Sequence, residues 1–288
     1  MPYALPMDDR TARLLNDLQS LPAHSVHTSL RNPRGRSERD FRGPLLLDYA
    51  TSRGMIGPDV STGDHYLAAT AEDGFVVTVA LAEIAAPYSS KPVLLAYEQD
   101  SEPVQAGVRL VVPGDDLGGR FILGVVAIDL HGVAEAARRE ADGIELSGLV
   151  ARPGRLGPAE LAGFETVEVD TETTGAHGST EVVRARYSGV RLWDVLEAAG
   201  PVLDESVRED FLNRVIIARS ADGYAAVIAG GEIEPRFMDG EVLIATHRDG
   251  EPLPPDEGPC RLVVPYDRAP GRFGARLAAL ELADGRKI

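Results

Sequence analysis

The residues with chemistry to offer lie mostly in the second half of the chain. His177 stands in a loop of small residues, Gly175-Ala176-His177-Gly178. Loops hold function more often than their share, and an imidazole there suits a general base or a ligand contact. Asp222 and Tyr224 flank Gly223 and are candidates for acid–base work. The alternative for Asp222 is turn chemistry, with its carboxylate capping the turn before glycine. Arg219, Tyr266, Arg268 and Arg272 would line a pocket, tyrosine for stacking and arginine for an anion. Arg272 either grips an anionic group bidentately or ends a strand at the surface. His24 and His27 stand three apart on a predicted strand, so they face opposite sides and make a poor metal pair. No G-x-S-x-G, P-loop or H-E-x-x-H pattern is present.

The elements that must position these groups repeat. Asp73-Gly74-Phe75 matches Asp222-Gly223-Tyr224, and Glu83-Ile84 matches Glu232-Ile233. Arg109-Leu-Val-Val-Pro113 matches Arg261-Leu-Val-Val-Pro265, and Gly119-Arg120-Phe121 matches Gly271-Arg272-Phe273. The offset is 149 through Glu102/Glu251 and 152 after a short insertion around 254–257. Order, spacing and residue type all hold, which predicts a tandem duplication. Residues 9–131 form the expected first domain, 132–143 a partly helical linker, and 144–288 the second domain. Residues 11–21 read as an amphipathic helix, and 46–54 and 192–200 as matching helices. Asp-Gly between apolar runs predicts a hairpin in each copy. Residues 31–39, with four arginines, read as a basic loop and a candidate anion-binding rim; 166–170 and 212–218 read as strands. The fold class is α+β, strand-rich with few short helices.

Composition narrows the partners. The chain of 288 residues is 44% hydrophobic and 26% charged, as in water-soluble globular proteins. A formal net charge of -16 repels phosphate backbones and anionic membranes. Cys260 is the one cysteine, so no internal disulfide forms, as expected of a reducing cytoplasm. The first ten residues lack the basic and apolar regions of a signal peptide, and no apolar run reaches membrane-spanning length. A small organic molecule is the expected ligand, and a homo-oligomer is compatible with the composition.

A family resemblance follows from motifs taken in order. They are Leu146-Ser-Gly148, Arg152-Pro153, the 187–196 stretch YSGVRLWDVL, Ser220 to Tyr224, Val242 to Ala245, Asp249 to Pro254, Arg261 to Pro265 and Gly271-Arg272. Together they resemble the molybdopterin-binding domain of the sulfite oxidase family, and most closely its small stand-alone bacterial members. The resemblance implies two copies of the sulfite-oxidase-type fold. It implies oxygen-atom transfer at molybdenum held by a pterin dithiolene, with one cysteine thiolate on the metal. The place of that cysteine is 170–178, which holds Thr173 or a neighbour and no cysteine. Cys260 aligns with Val108 on an apolar strand and reads as a core residue. The family's Lys-Trp pair after its late Gly-x-Arg is absent, and Glu257 replaces its late-hairpin histidine. Arg272 would meet a pterin phosphate if one were bound.

Three functions remain in play. The first is cofactor-independent acid–base chemistry of the cyclisation or isomerisation class on an organic substrate. The second is a molybdopterin-dependent oxidoreductase with an unconventional metal site. The third is a non-catalytic ligand-binding protein. No protein ligand to a metal is assigned.

Overall fold

A computed structural model describes residues 9–134, 136–175, 181–238 and 241–286. The first half opens with the helix Asp9–Gln19, which buries Leu14 and Leu18 and ties Thr11 to Glu72 by a 3.0 Å hydrogen bond. A long ribbon follows, His24–Asn32 against Gly35–Gly43, and its second strand continues into a short pairing with Glu98–Gln99. Val76–Ala80, His65–Ala71 and Val125–Gly132 then form a three-stranded sheet in that order.

The second half uses the same parts. The ribbon Thr166–Thr174 against Val182–Arg191 continues into Leu243–Arg248. Ala225–Ala229, Arg214–Ser220 and Leu277–Asp284 lie side by side, and Ile144–Gly148 and Gly154–Leu156 extend that sheet to five strands. The central strands slip register at corresponding places, Thr70/Ala71 and Arg219/Ser220. No helix among the described residues is long and apolar enough to cross a membrane.

Both Asp-Gly turns form as expected. Gly74 and Gly223 have φ of +84° and +98°, which a side chain rarely tolerates. In each turn the aspartate accepts a 3.0 Å hydrogen bond from the backbone N–H two residues on, Asp73 from Phe75 and Asp222 from Tyr224. The helices expected at 46–54 and 192–200 appear as Leu46–Ser52 and Leu192–Ala199.

Three expectations need correction. The arginines at 31–39 belong to the ribbon and its tip, not to a loop. Arg31 and Arg36 pair with Asp116, and Arg39 pairs with Asp100, so the anion-binding rim is occupied by the protein's own carboxylates. The stretch after 132 forms no helix among its described residues. It is held extended on the second half, where the Arg139 N–H donates to the Ala221 carbonyl at 2.8 Å. The strand predicted over 212–218 begins at Arg214, because a 3-10 turn, Asp210–Asn213, precedes it. There the Asp210 carboxylate binds the Asn213 amide at 2.6 Å and Arg214.

Apolar packing joins the halves. A cluster of Tyr66, Ala68 and Val76 with Val215, Ile217, Ala225 and Val227 lies between the two sheets. Leu212 and Phe237 reach into the core of the first half. A Cβ on Gly119 would lie 2.3 Å from the Phe237 ring, and one on Gly271 would lie 2.2 Å from the Tyr88 hydroxyl. Each half thus packs an aromatic ring on a glycine of the other, at equivalent positions. Thr78 Oγ1 donates to the Leu212 and Arg214 carbonyls at 3.2 and 3.0 Å, and the Val227 N–H donates to the Gly63 carbonyl at 2.8 Å.

Candidate functional site

The predicted site residues fall into separate groups. Arg272 and Tyr266 come together, with Arg272 inside the protein and Tyr266 partly buried over it. Arg272 is 0% exposed. Its Nε and Nη2 each donate to Asp267 at 2.8 Å, and its Nη1 donates to Glu232 Oε2 at 2.9 Å and to the Val227 carbonyl at 3.3 Å. The Tyr266 hydroxyl donates to Glu232 Oε2 at 3.3 Å. Arg272 therefore has no face left for an outside anion, which corrects the expectation that it grips one. An unpaired buried charge is costly, so a buried arginine is found with its carboxylates. Arg120 repeats the arrangement in the first half, paired with Asp115 and Glu83, and Lys91 adds a second cation 2.8 Å from Glu83.

The two clusters differ electrostatically. Burial alone would raise Glu83, but Arg120 and Lys91 together outweigh it and hold the carboxylate well below its usual range. Around Glu232 burial wins over Arg272, and the carboxyl is pushed up. Arg272 is the one cation between two buried carboxylates there, and Glu83 of the neighbouring cluster adds to the push; in the first half the two cations hold Glu83 down while burial still raises Asp115.

Thr173 is 7% exposed on its strand, opposite Val183. The next residue stitches that strand to the Arg268 segment, with the Thr174 N–H donating to the Arg268 carbonyl at 2.7 Å. Arg268 itself is exposed. Thr173 and Arg268 therefore lie on adjoining segments near the end of the second ribbon. His177 lies outside the described residues. Arg219 donates to the Ala134 carbonyl at 2.9 Å.

Asp222 and Tyr224 sit together at the hairpin, but in structural roles. Asp222 is occupied by its own turn. The Tyr224 hydroxyl donates to the Gly271 carbonyl at 2.7 Å. Burial, with Tyr88 and Asp64 nearby, pushes its phenol up to about 12, so it stays protonated at neutral pH and is a poor base there.

Sequence reasoning singled out Glu257 only as the replacement of a family histidine and passed over its ion pairs. Its carboxylate binds both Arg248 and Arg261, the latter at 2.5 Å. Arg261 also lies over the rings of Tyr187 and Phe273, 5.7 and 5.8 Å from their centroids. The signal was present: Glu257 falls in the insertion that separates the two otherwise matching stretches. Cys260 is in the core as expected, 3% exposed, and burial pushes its thiol up to about 11.

Residues 131–275 match the family described as the oxidoreductase molybdopterin binding domain. No curated protein matches the chain. Among solved structures, the sulfane dehydrogenase SoxCD from Paracoccus pantotrophus is similar at 20% identity, with a TM-score of 0.41. That similarity covers 55% of this chain and 42% of the other, so the chain spans less than half the length of that relative. The family match takes in half of the sequence, and the chain belongs to the oxidoreductase molybdopterin-binding domain family.

Proposed function

We propose that the chain is a small-molecule-binding member of this family in which no cysteine thiolate anchors a metal. The observation that carries this reading is the state of Cys260. A metal takes the thiolate, whereas this sulfur is buried in the core and its thiol is pushed up to about 11. Among the described residues no three His, Cys, Asp or Glu side chains converge to hold a metal ion. The buried arginines that would suit a cofactor phosphate are committed, Arg272 to Asp267 and Glu232, and Arg261 to Glu257. Molybdenum anchored by cysteine does not fit these residues.

A second reading is an oxidoreductase whose molybdenum–pterin centre takes no sulfur ligand from the protein. The family match over 131–275 favours it over cofactor-free cyclisation or isomerisation. Acid–base catalysis by Asp222 and Tyr224 has little support, given the turn bond of the first and the raised phenol of the second. Elemental analysis for molybdenum, with fluorescence of the released and oxidised pterin, separates the readings in protein from a host that makes the cofactor. The first expects molybdenum well below one per chain and unchanged in Cys260→Ser. Stoichiometric metal lost in that variant overturns it; stoichiometric metal and pterin kept in that variant establish the second reading.

The chain is further read as two copies of one unit, each with its own ribbon and three-stranded sheet. The matching strand orders, the shared register slip and the exchanged aromatic-on-glycine contacts support this. The reading requires that a relative with a single unit pair with a second copy of itself through the same strands. A monomeric single-unit relative, measured by light scattering, counts against it.

A further inference from the structure

Among the described residues, the first half contains a half-buried cation without a counter-ion, Arg109. Arg109 and Arg261 open equivalent strands, Arg109–Val111 and Arg261–Val263. Arg261 is neutralised by Glu257 and covered by two aromatic rings. Arg109 has neither among the described residues. Its Nη1 donates to the neutral Gln99 Oε1 at 2.7 Å where that of Arg261 meets a carboxylate; the buried Nε has no partner in either arginine, so the two differ at the outer nitrogens. The cause is in the sequence: the insertion that carries Glu257 is missing from the first half, and Gln99 stands where the second half has Arg248. The fully buried arginines among the described residues, Arg120, Arg214 and Arg272, each meet a carboxylate. Burial pushes the Arg109 guanidinium down, as expected for a positive charge removed from water without compensation.

Beside Arg109 is an open cavity of about 400 Å³, lined by Gln99, Pro103, Val104, Gln105 and Leu123 among others. Leu123 is 43% exposed, although large apolar side chains favour the interior; its counterpart in the second half is Ala275. Two carboxylates, Asp100 and Glu102, also line it. Asp100 is engaged by Arg39 at 3.5 Å and by the Asp40 N–H at 3.0 Å, and Glu102 is exposed to water. Neither pairs with Arg109.

The geometry points to a binding site for a small organic carboxylate in the first half, with the anionic group on Arg109 and the apolar part on Leu123, Pro103 and Val104. The second half displays the pose internally, because the Glu257 carboxylate on Arg261 holds the place that the ligand takes on Arg109. This goes beyond the ligand class proposed above, and it stands or falls independently of metal content.

Isothermal titration with benzoate, and with benzamide as its uncharged analogue, tests the site on the full-length protein. One benzoate per chain is expected, with benzamide at least tenfold weaker. Arg109→Gln should weaken benzoate by about tenfold or more, the value of a hydrogen bond to a charged group. Glu257→Gln frees Arg261 and should raise the stoichiometry from one toward two; this variant keeps the test informative if Arg109→Gln fails to fold. The proposal is overturned by the absence of saturable benzoate binding at millimolar concentration. It is equally overturned by benzamide binding as tightly as benzoate, or by unchanged affinity in a folded Arg109→Gln protein.

Discussion

Replacing Arg272 by leucine should destabilise the protein more than any single surface change. The substitution leaves Asp267 and Glu232, 1% and 0% exposed, without the guanidinium that both share. Removing one partner of a fully buried ion pair costs about 3–5 kcal/mol, because the remaining charge has lost both water and its counter-ion. Against a total stability of about 5–15 kcal/mol, that is a large fraction. Arg120→Leu is the internal control. It leaves Glu83 and Asp115, but Lys91 remains 2.8 Å from Glu83 and 3.9 Å from Asp115. A charged hydrogen bond of that kind retains about 1.5–3 kcal/mol, so Arg120→Leu should lose less by roughly that amount. Urea denaturation followed by far-UV circular dichroism measures both, read as a change in midpoint at constant slope. The pH dependence follows from the sign of the shifts. In Arg272→Leu the stranded Glu232 carboxyl, already pushed up by burial, takes up a proton more readily when folded than when unfolded. That contribution to stability is present at low pH and is lost as pH rises through the raised folded value, so the gap to wild type should narrow from pH 8 toward pH 5. A loss under 1 kcal/mol, or a larger loss in Arg120→Leu, would refute the reasoning.

Three further outcomes are expected. Cys260, with its thiol pushed up to about 11, should react negligibly with thiol reagents at pH 8 until the protein unfolds; fast labelling of native protein would place the sulfur at the surface. The same shift predicts a decline in stability between about pH 9 and 11, where the unfolded thiol ionises first, and Cys260→Ser should remove that decline. Gly271→Ala should cost about 1–3 kcal/mol through overpacking against the Tyr88 hydroxyl, and Tyr88→Phe should recover part of it in thermal melts; full additivity of the two changes would argue against their contact.

Much of the architecture was legible because its signals are local. An aspartate before a glycine between apolar runs makes a hairpin wherever it occurs, and both turns formed. Alignment with Val108 on an apolar stretch placed Cys260 in the core, and both are buried, each in the core of its own half. The ribbons were less legible. Thr166–Thr174 runs past its predicted end because it pairs along its whole length with Val182–Arg191, and pairing of this kind leaves no mark on one strand alone. The arginines at 31–39 read as a loop because their charge suggested solvent, whereas Asp116 neutralises Arg31 and Arg36, and Asp100 neutralises Arg39, from distant segments.

The sequence by itself determined the recurring motifs, the family, the hairpins and the lack of a cysteine where a metal ligand would stand. Only the tertiary structure decided what the arginines do. An arginine after a glycine reads the same whether it faces a ligand or the core. Arg272 belongs to the core because Glu232, 40 residues away, folds onto it together with Asp267. Arg109 and Arg261 open identical Arg-Leu-Val-Val-Pro stretches, yet one is neutralised and the other is not. The difference lies in the insertion just ahead of Arg261, which supplies Glu257 four residues away; the sequence shows that carboxylate, but only the fold of the loop sets its distance from the guanidinium, on which charge compensation depends.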